Sequence, residues 1–296
     1  MAISGRVTEG SIHTRVLANL QRNLANGDKI LEQMSSGKQI NRPSDSPTGT
    51  VASMQLRTES RANERYTRNA DDGLGWLDTV ESTLGSASTL VNQARDLTLQ
   101  GLSGNSSPQV KEALAGQIDQ IRESMIAQSN TNYLDRPVFG GTVAGSVAYD
   151  ANGSYVGDNG QTVRTVGSNS TVRVDTAGPD AFGSGDSQMF TVLKSISDSI
   201  RSGDSAKLAN DLKNLDKAGI VVRTAISDVG SRYTRITQMK DMALDRSLTV
   251  ASRLSEIEDI DLPKTIMEMK LQETSYQAAL AASAKVIQPS LIDYLR

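Results

Sequence analysis

The sequence of 296 residues contains no cysteine, a single histidine and few aromatic residues. Without cysteine the chain can form no disulfide and has no thiolate for catalysis or metal binding. The histidine, His13, lies in a polar segment with no nucleophile motif nearby, which argues against a catalytic triad or a histidine metal site. Aromatic residues make up only 4% of the chain, so we expect a thin core. The composition predicts a protein that is not an enzyme and that has no cofactor or bound metal.

The sequence also lacks long hydrophobic runs and an excess of positive charge. No run of about eighteen apolar residues occurs, so no membrane-spanning helix is expected. The first sixteen residues contain no apolar block of the kind that a cleaved secretory signal requires. The net charge is −3 and the isoelectric point is near 5.4, whereas nucleic-acid-binding proteins are usually basic. We therefore expect neither membrane insertion nor nucleic-acid binding.

Helical periodicity is what the sequence does have, and it is clear at both ends. Apolar residues recur there at helical spacing, which predicts an N-terminal and a C-terminal helix that pair with each other. A two-helix arm cannot enclose all of its apolar surface, so we expect the same side chains to contact neighbouring molecules as well. This predicted assembly seam comprises Leu17, Leu20, Leu24, Leu31, Ile266, Met269, Tyr276, Leu280, Ile287 and Leu291.

Capping signals set the expected helix boundaries. In the stretch MSSGKQINRPSDSPTG, Gly37 is suited to end one helix, and Ser46-Pro47 has the N-cap and first-turn residues that begin the next. Ser107-Pro108 repeats that signal for a third helix, which should end near Asn130. Asp261 is the expected N-cap of the last helix.

The clearest periodicity lies in the C-terminal half, and a β-prone region precedes it. Residues 133–187 are rich in glycine and contain short β-prone runs at 146–149, 162–166 and 171–175, with DANG and GDNG as expected hairpin turns. A long helix is predicted by apolar residues spaced seven apart, which are Val222, Val229, Ile236, Ala243, Val250 and Ile257.

The expected fold is mainly α: an elongated multi-helix bundle with paired N- and C-terminal helices and a small antiparallel β insertion. We expect three parts: a terminal helical arm (1–42 with 262–296), a long helical bundle (43–132 with 188–261) and a small β module (133–187). Ordering the backbone costs about 1–2 kcal/mol per residue, which the few apolar residues of a two-helix arm barely offset. We expect both ends to be loose in the free monomer and to become ordered when copies stack.

Two stretches of the sequence resemble the signatures of the bacterial flagellin superfamily, which contains the filament proteins and their relatives at the hook–filament junction. The stretches are LEQMSSGKQINRPSDSPTGT near the N-terminus and DVGSRYTRI with LSEIEDIDLPKTIMEMKLQETSYQAALAASAKVIQPSLIDYL towards the C-terminus. Ser46 stands where the family commonly has aspartate, and serine caps a helix equally well. The resemblance covers residues 1–140 and 188–296 and leaves the β module less defined.

The resemblance implies a structural protein of the bacterial flagellum. RPSDSP, NYLDRPVFGGT and SLIDYLR favour the junction type over a filament-forming flagellin, which is the alternative. Implied partners are hook-associated protein 1, flagellin, other copies in a ring and a flagellar export chaperone. The implied location is extracellular, on the flagellum, after type III export without a cleaved signal peptide. A cytosolic coiled-coil adaptor and an enzyme with a site in the β insertion are the less favoured alternatives.

Overall fold

The computed structural model describes residues 9–103, 107–143, 145 and 147–287, and this part of the chain is mainly helical. Two of its helices exceed 50 residues: α2 has 56 and α6 has 54. The seven described α-helices are α1 (Glu9–Ser36), α2 (Pro47–Leu102), α3 (Pro108–Ser129), α4 (Gly178–Phe182), α5 (Met189–Ser202), α6 (Ser205–Glu258) and α7 (Leu262–Ile287).

The chain divides into two compact units. One comprises residues 1–61 and 248–296, and the other comprises residues 62–247. In its described part, the first unit contains α1, α7, the beginning of α2 and the end of α6. α1 packs against α7, so the predicted pairing of the N- and C-terminal helices is confirmed. The three-part division at 42, 132, 187 and 261 remains a proposal.

The predicted helix boundaries are confirmed by their caps. Ser46 Oγ accepts a hydrogen bond from the Gly49 backbone N–H at 3.2 Å, and Ser107 Oγ accepts one from the Val110 N–H at 3.4 Å. Asp261 Oδ1 accepts from the Lys264 N–H at 3.1 Å at the start of α7. Each cap satisfies an N–H group that has no partner within its own helix, which is why these helices begin where the sequence indicates.

The predicted heptad pattern of α6 faces inwards. Ile257 is half-buried, and the preceding five positions at intervals of seven are at least 93% buried, namely Val222, Val229, Ile236, Ala243 and Val250. The hydrophobic core of the 62–247 unit is formed mainly by side chains from α2, α3, α5 and α6. The long helices therefore provide the scaffold of this unit.

The β content is small and antiparallel, as predicted, but one predicted strand does not form. Two short hairpins occur: β1 (Asn132–Tyr133) with β2 (Arg136–Pro137), and β3 (Val163–Gly167) with β4 (Ser170–Arg173). In residues 147–149, the described part of the predicted run at 146–149, a single bridge forms, between Tyr149 and Tyr155. The sequence DANG makes the turn beneath this bridge, because Asp150 Oδ1 accepts the N–H groups of Asn152 and Ser154 at 2.9 and 2.7 Å.

The expected hairpin at GDNG is wrong. Asp158 in this sequence accepts hydrogen bonds from the Thr142 and Gly160 N–H groups at 2.6 and 3.0 Å, so it closes a loop instead of a strand pair. The region is held together by aromatic packing rather than by a sheet: all three phenylalanines of the chain meet Tyr149 or each other at centroid distances between 4.8 and 5.8 Å, namely Phe139, Phe182 and Phe190.

Candidate assembly surface

α1 and α7 pack along a regular seam. The half-buried or buried residues on both helices follow spacings of four and three, the pattern of an antiparallel coiled coil. On α1 they are Val16, Leu20, Asn23, Gly27, Ile30 and Met34, with Gln33 half-buried beside Met34; on α7 they are Thr265, Met269, Gln272, Tyr276, Ala279 and Ser283.

The centre of this seam is polar and small rather than apolar. Gln272 Nε2 donates a hydrogen bond to the Asn23 backbone oxygen at 2.7 Å. A Cβ added at Gly27 would lie 3.9 Å from Cγ of Gln272, which is an ordinary contact distance. The apolar seam residues Val16, Leu20, Ile30 and Met34 are only half-buried, so each contributes less than the roughly 1.5–3 kcal/mol of a fully buried side chain.

The structure separates the predicted assembly seam into two groups. Leu20, Met269 and Tyr276 are half-buried in the α1–α7 seam. A second group lies on the outside with 44–59% of each side chain exposed, comprising Leu17, Leu24, Leu31, Ile266 and Leu280. The side chain of Ile287 and all of Leu291 lie outside the described residues.

The exposed leucines of α1 border a groove between the two helices. Leu17, Leu24 and Leu31 are seven residues apart, so they share one side of α1. The groove contains a cavity of about 140 Å³ that is lined by Leu24 and Leu31 together with Met269 and Tyr276 of α7. The outer row Leu17, Leu24 and Leu31 and the seam are thus adjacent rows on α1, and the outer row keeps 48–59% of its surface exposed.

The predicted seam includes Leu20, Met269 and Tyr276 but misses the apolar residues Val16, Ile30 and Met34 as well as the small and polar members of the row. The signal that could have found them is the uninterrupted four-and-three spacing 16, 20, 23, 27, 30, 34. Leu20 belongs to this row, whereas Leu17, Leu24 and Leu31 stand one position away from it and are exposed.

The loops that join the arm to the long helices are held by a buried carboxylate. Glu258 is 98% buried at the end of α6, and its Oε2 accepts hydrogen bonds from Arg57 at 2.7 Å and Lys38 at 2.8 Å. Backbone bonds join the same loops: the Gln39 N–H donates to the Glu258 oxygen at 2.6 Å, and the Ile260 N–H donates to the Gly37 oxygen at 3.1 Å. We call these contacts the Glu258 cluster.

The two cations stabilise the charged form of this carboxylate. The hydrogen bond from Arg57 lowers the pKa of Glu258 most, and Lys38 lowers it further. Desolvation of the buried carboxylate acts in the opposite direction. The pKa of Glu258 is about 2, compared with an ordinary value of 4.5. The pKa of Lys38 is raised, chiefly by the same hydrogen bond. Glu258 is therefore ionised at neutral pH and serves as a structural anchor.

The described residues contain no cluster of metal-binding side chains. Within them, no group of three His, Cys, Asp or Glu residues is placed to hold a metal ion. The sequence SSGK has the outward form of a phosphate loop, but Glu32 stands where that motif needs glycine, and Lys38 is engaged with Glu258. None of the helices in the described part is long and apolar enough to cross a membrane.

Comparison with known proteins shows that this helical chain is similar to bacterial flagellins and to flagellar hook-associated proteins. Residues 11–143 match the family model described as the bacterial flagellin N-terminal helical region. Flagellin of Bacillus subtilis is 25% identical, with 96% of each chain covered. Flagellar hook-associated protein 3 of Escherichia coli is 23% identical, over 86% of this chain and 88% of that protein. The resemblance to the flagellin superfamily is therefore confirmed, and hook-associated protein 3 is among the relatives.

Solved structures show the same fold. A chain described as a flagellar hook-associated protein from Vibrio parahaemolyticus aligns with a TM-score of 0.67 and 20% identity, covering 73% of this chain and 100% of its own length. The flagellar junction protein of Legionella pneumophila aligns with a TM-score of 0.58 and 12% identity, covering 70% of this chain and 99% of that one. At such identities the alignments show that the fold is shared. The prediction of a mainly α fold with a small antiparallel β insertion is confirmed.

Proposed function

We propose that this chain is a structural component of the bacterial flagellum that forms the hook–filament junction. A ring of copies sits on hook-associated protein 1 and presents a surface to flagellin, and the chain catalyses no reaction. The observation that supports this proposal is the exposed row Leu17, Leu24 and Leu31 on an arm whose seam is only half-buried at its apolar positions and polar at its centre. Such a row gains hydrophobic stabilisation only when another molecule covers it.

The mechanism is coupled folding and assembly. The arm is weakly ordered in the free chain and orders when neighbouring copies bury the outer row, so that assembly supplies the free energy that the arm lacks. Export through the flagellar type III channel, with a chaperone as escort, suits a chain whose ends order late. The final location is extracellular, at the junction.

The proposal is tested in a strain that lacks this chain. Isolated hook–basal bodies should carry the chain when it is supplied, and filaments should attach only then. Its absence from hook–basal bodies of cells with a working exporter would contradict the proposal and favour a cytosolic adaptor.

A filament-forming flagellin is the second candidate, because the similarity to Bacillus subtilis flagellin covers 96% of both chains. Purified protein separates the two functions. Long homopolymers that grow from seeds would favour flagellin, whereas binding to hook ends without extension would favour the junction protein. An enzyme whose site lies in the β insertion receives no support from the described residues.

A further inference from the structure

The groove between α1 and α7 has room for one side chain from outside. Its cavity measures about 140 Å³ and is lined mainly by apolar side chains, among them Leu24, Leu31, Met269 and Tyr276. A protein cavity of about 150 Å³ accommodates a molecule the size of benzene, so this one can accept a large aliphatic side chain. Asp28 also lines the groove, and it is exposed.

A complementary feature lies on the other side of α7. Met267 and Leu271 are 68% and 69% exposed. They are four residues apart and therefore share one side of the helix, away from the seam positions Met269 and Gln272. Lys270 adjoins them; its ammonium group is 3.4 Å from Glu273, and both side chains are more than half exposed, so the pair is loosely held. We call Met267, Lys270 and Leu271 the α7 ridge.

We propose that the groove of one copy receives the α7 ridge of a second copy. Leu271 enters the cavity between Leu24 and Leu31, and Lys270 reaches Asp28. Size and charge both favour this occupant: the cavity fits one aliphatic side chain, and the carboxylate on the groove meets an ammonium group beside the ridge. The inference rests on the proposed function and identifies which surfaces of the arm meet.

The contact is heterologous, because the groove and the ridge are different surfaces of the same arm. Every copy therefore both receives a ridge and donates one. Because the ridge lies on the side of α7 away from the seam, we expect the contact to repeat into a ring or an open helical stack instead of being exchanged within a two-fold dimer. A ring of copies at the junction requires a contact of this kind.

The absence of cysteine makes the contact directly testable. Leu24→Cys and Leu271→Cys are introduced in separate copies of the full chain, and both are co-expressed in a flagellated strain that lacks the wild-type chain. Isolated flagella are treated with a short thiol-reactive cross-linker. We expect a cross-linked dimer from the mixed pair and severalfold less from either variant alone. The matched control pairs Leu24→Cys with Leu134→Cys, whose position is 71% exposed in the 62–247 unit.

The outcomes separate this inference from the proposed function. Flagella that contain both variants but give no more mixed dimer than the control pair would overturn the inference and leave the junction role intact. If Leu24→Cys alone gave as much cross-linked dimer as the mixed pair, the inference would also be overturned, because that product places Leu24 of one copy beside Leu24 of another, where the proposed contact places Leu271. Absence of the wild-type chain from isolated flagella would remove the proposed function itself, and the inference with it.

Charge reversal supplies a second, independent measurement if a cysteine variant does not assemble. Asp28→Lys and Lys270→Asp place like charges across the proposed contact, and we expect each to lower the amount of chain in isolated flagella severalfold. The double variant restores the opposite pair and should regain most of that loss. A double variant as poor as the single ones would contradict the pairing of these two groups.

Discussion

Glu258 shows how one side chain can fix the geometry of a connection. Its carboxylate is buried at the end of α6 and binds Lys38 and Arg57, which belong to the other polypeptide segment of the same unit. Both cations are 40–52% exposed, so they can return to water when the carboxylate is removed. A buried ion pair of this kind contributes mainly by holding groups in one arrangement, and losing one partner is costly.

We expect Glu258→Gln to destabilise the loops around residues 37–46 and 259–261. The charged hydrogen bonds that are lost contribute about 1–3 kcal/mol in total, because hydrogen bonds to charged groups contribute more than neutral ones. Amide exchange of peptides from these loops measures the local free energy of opening. Glu256→Gln is the matched control, because Glu256 is exposed on the same helical turn. Equal exchange in both variants would contradict the anchoring role.

The same carboxylate predicts a pH dependence. Since the pKa of Glu258 is lowered to about 2 in the folded chain from an ordinary 4.5, its contribution to stability is complete above pH 4.5 and is lost as the pH falls towards 2. We expect the difference in free energy of unfolding between wild type and Glu258→Gln to be constant from pH 7 to 5 and to shrink below. Urea titrations at several pH values measure this difference. A constant difference down to pH 2 would refute the assignment.

The α1 helix contains a glycine, Gly27, whose effect on helix stability can be measured by a single substitution in the full chain. Gly27 lies inside α1, and an added Cβ would make ordinary contact with Gln272 at 3.9 Å. We expect Gly27→Ala to stabilise α1 by about 0.5–1 kcal/mol, because glycine in a helix loses more backbone entropy on folding. Far-UV circular dichroism of the full chain should show a higher helix content.

Gly37→Ala is the control with the opposite sign. Gly37 ends α1 with a φ of 70°, a conformation that costs alanine about 1–2 kcal/mol. We expect this variant to lose helix signal on heating earlier than wild type. If both substitutions shift stability in the same direction, the backbone explanation fails.

At the scale of elements, α1–α7 and α6 differ in what they bury. The α6 positions Val222, Val229 and Ile236 are completely buried, whereas the centre of the arm seam is Asn23, Gly27 and Gln272. Local stability follows the amount of buried apolar surface. We therefore expect the arm to be less stable than α6 within the described part of the chain.

This contrast predicts the pattern of amide exchange in the monomer. We expect residues 14–36 and 262–284 to exchange much faster than residues 222–257. Trp76, the only tryptophan, is 98% buried in the 62–247 unit, so its fluorescence confirms that this unit is folded during the measurement. Equal protection of the arm and of α6 would contradict coupled folding and assembly.

At the scale of the whole molecule, both ends of the chain contribute to one helix pair. The arm exists only when residues far apart in sequence meet, so removing either end removes the pair. We expect deletion of residues 280–296 to abolish stable attachment of filaments to hooks, because it shortens α7 and removes Leu280, one of the exposed apolar residues of the arm. Electron microscopy and motility of the deletion strain measure this.

Leu134→Ser serves as the control for that deletion, because Leu134 is exposed at the β1–β2 turn in the other unit. We expect this variant to leave attachment unchanged. A motile deletion strain with normal filaments would show that the C-terminal part of the arm is dispensable for assembly.

Much of the fold could be predicted from local sequence signals. Caps at Ser46, Ser107 and Asp261 act over one helical turn, and the buried row of α6 repeats every seven residues. A local turn signal gave a wrong hairpin prediction at GDNG, where Asp158 accepts a hydrogen bond from the backbone N–H of Thr142, sixteen residues away. A local turn signal cannot reveal a partner that only the folded chain brings close.

The sequence by itself determined the helical class, the helix boundaries and the pairing of the two ends, because periodicity and capping are local properties of the chain. Only the tertiary structure decided which row of each terminal helix faces the other. That choice depends on contacts between residues far apart in the sequence, which a local periodicity does not report. Leu20 consequently faces α7, whereas Leu17, Leu24 and Leu31 lie on the outside, where another molecule can reach them.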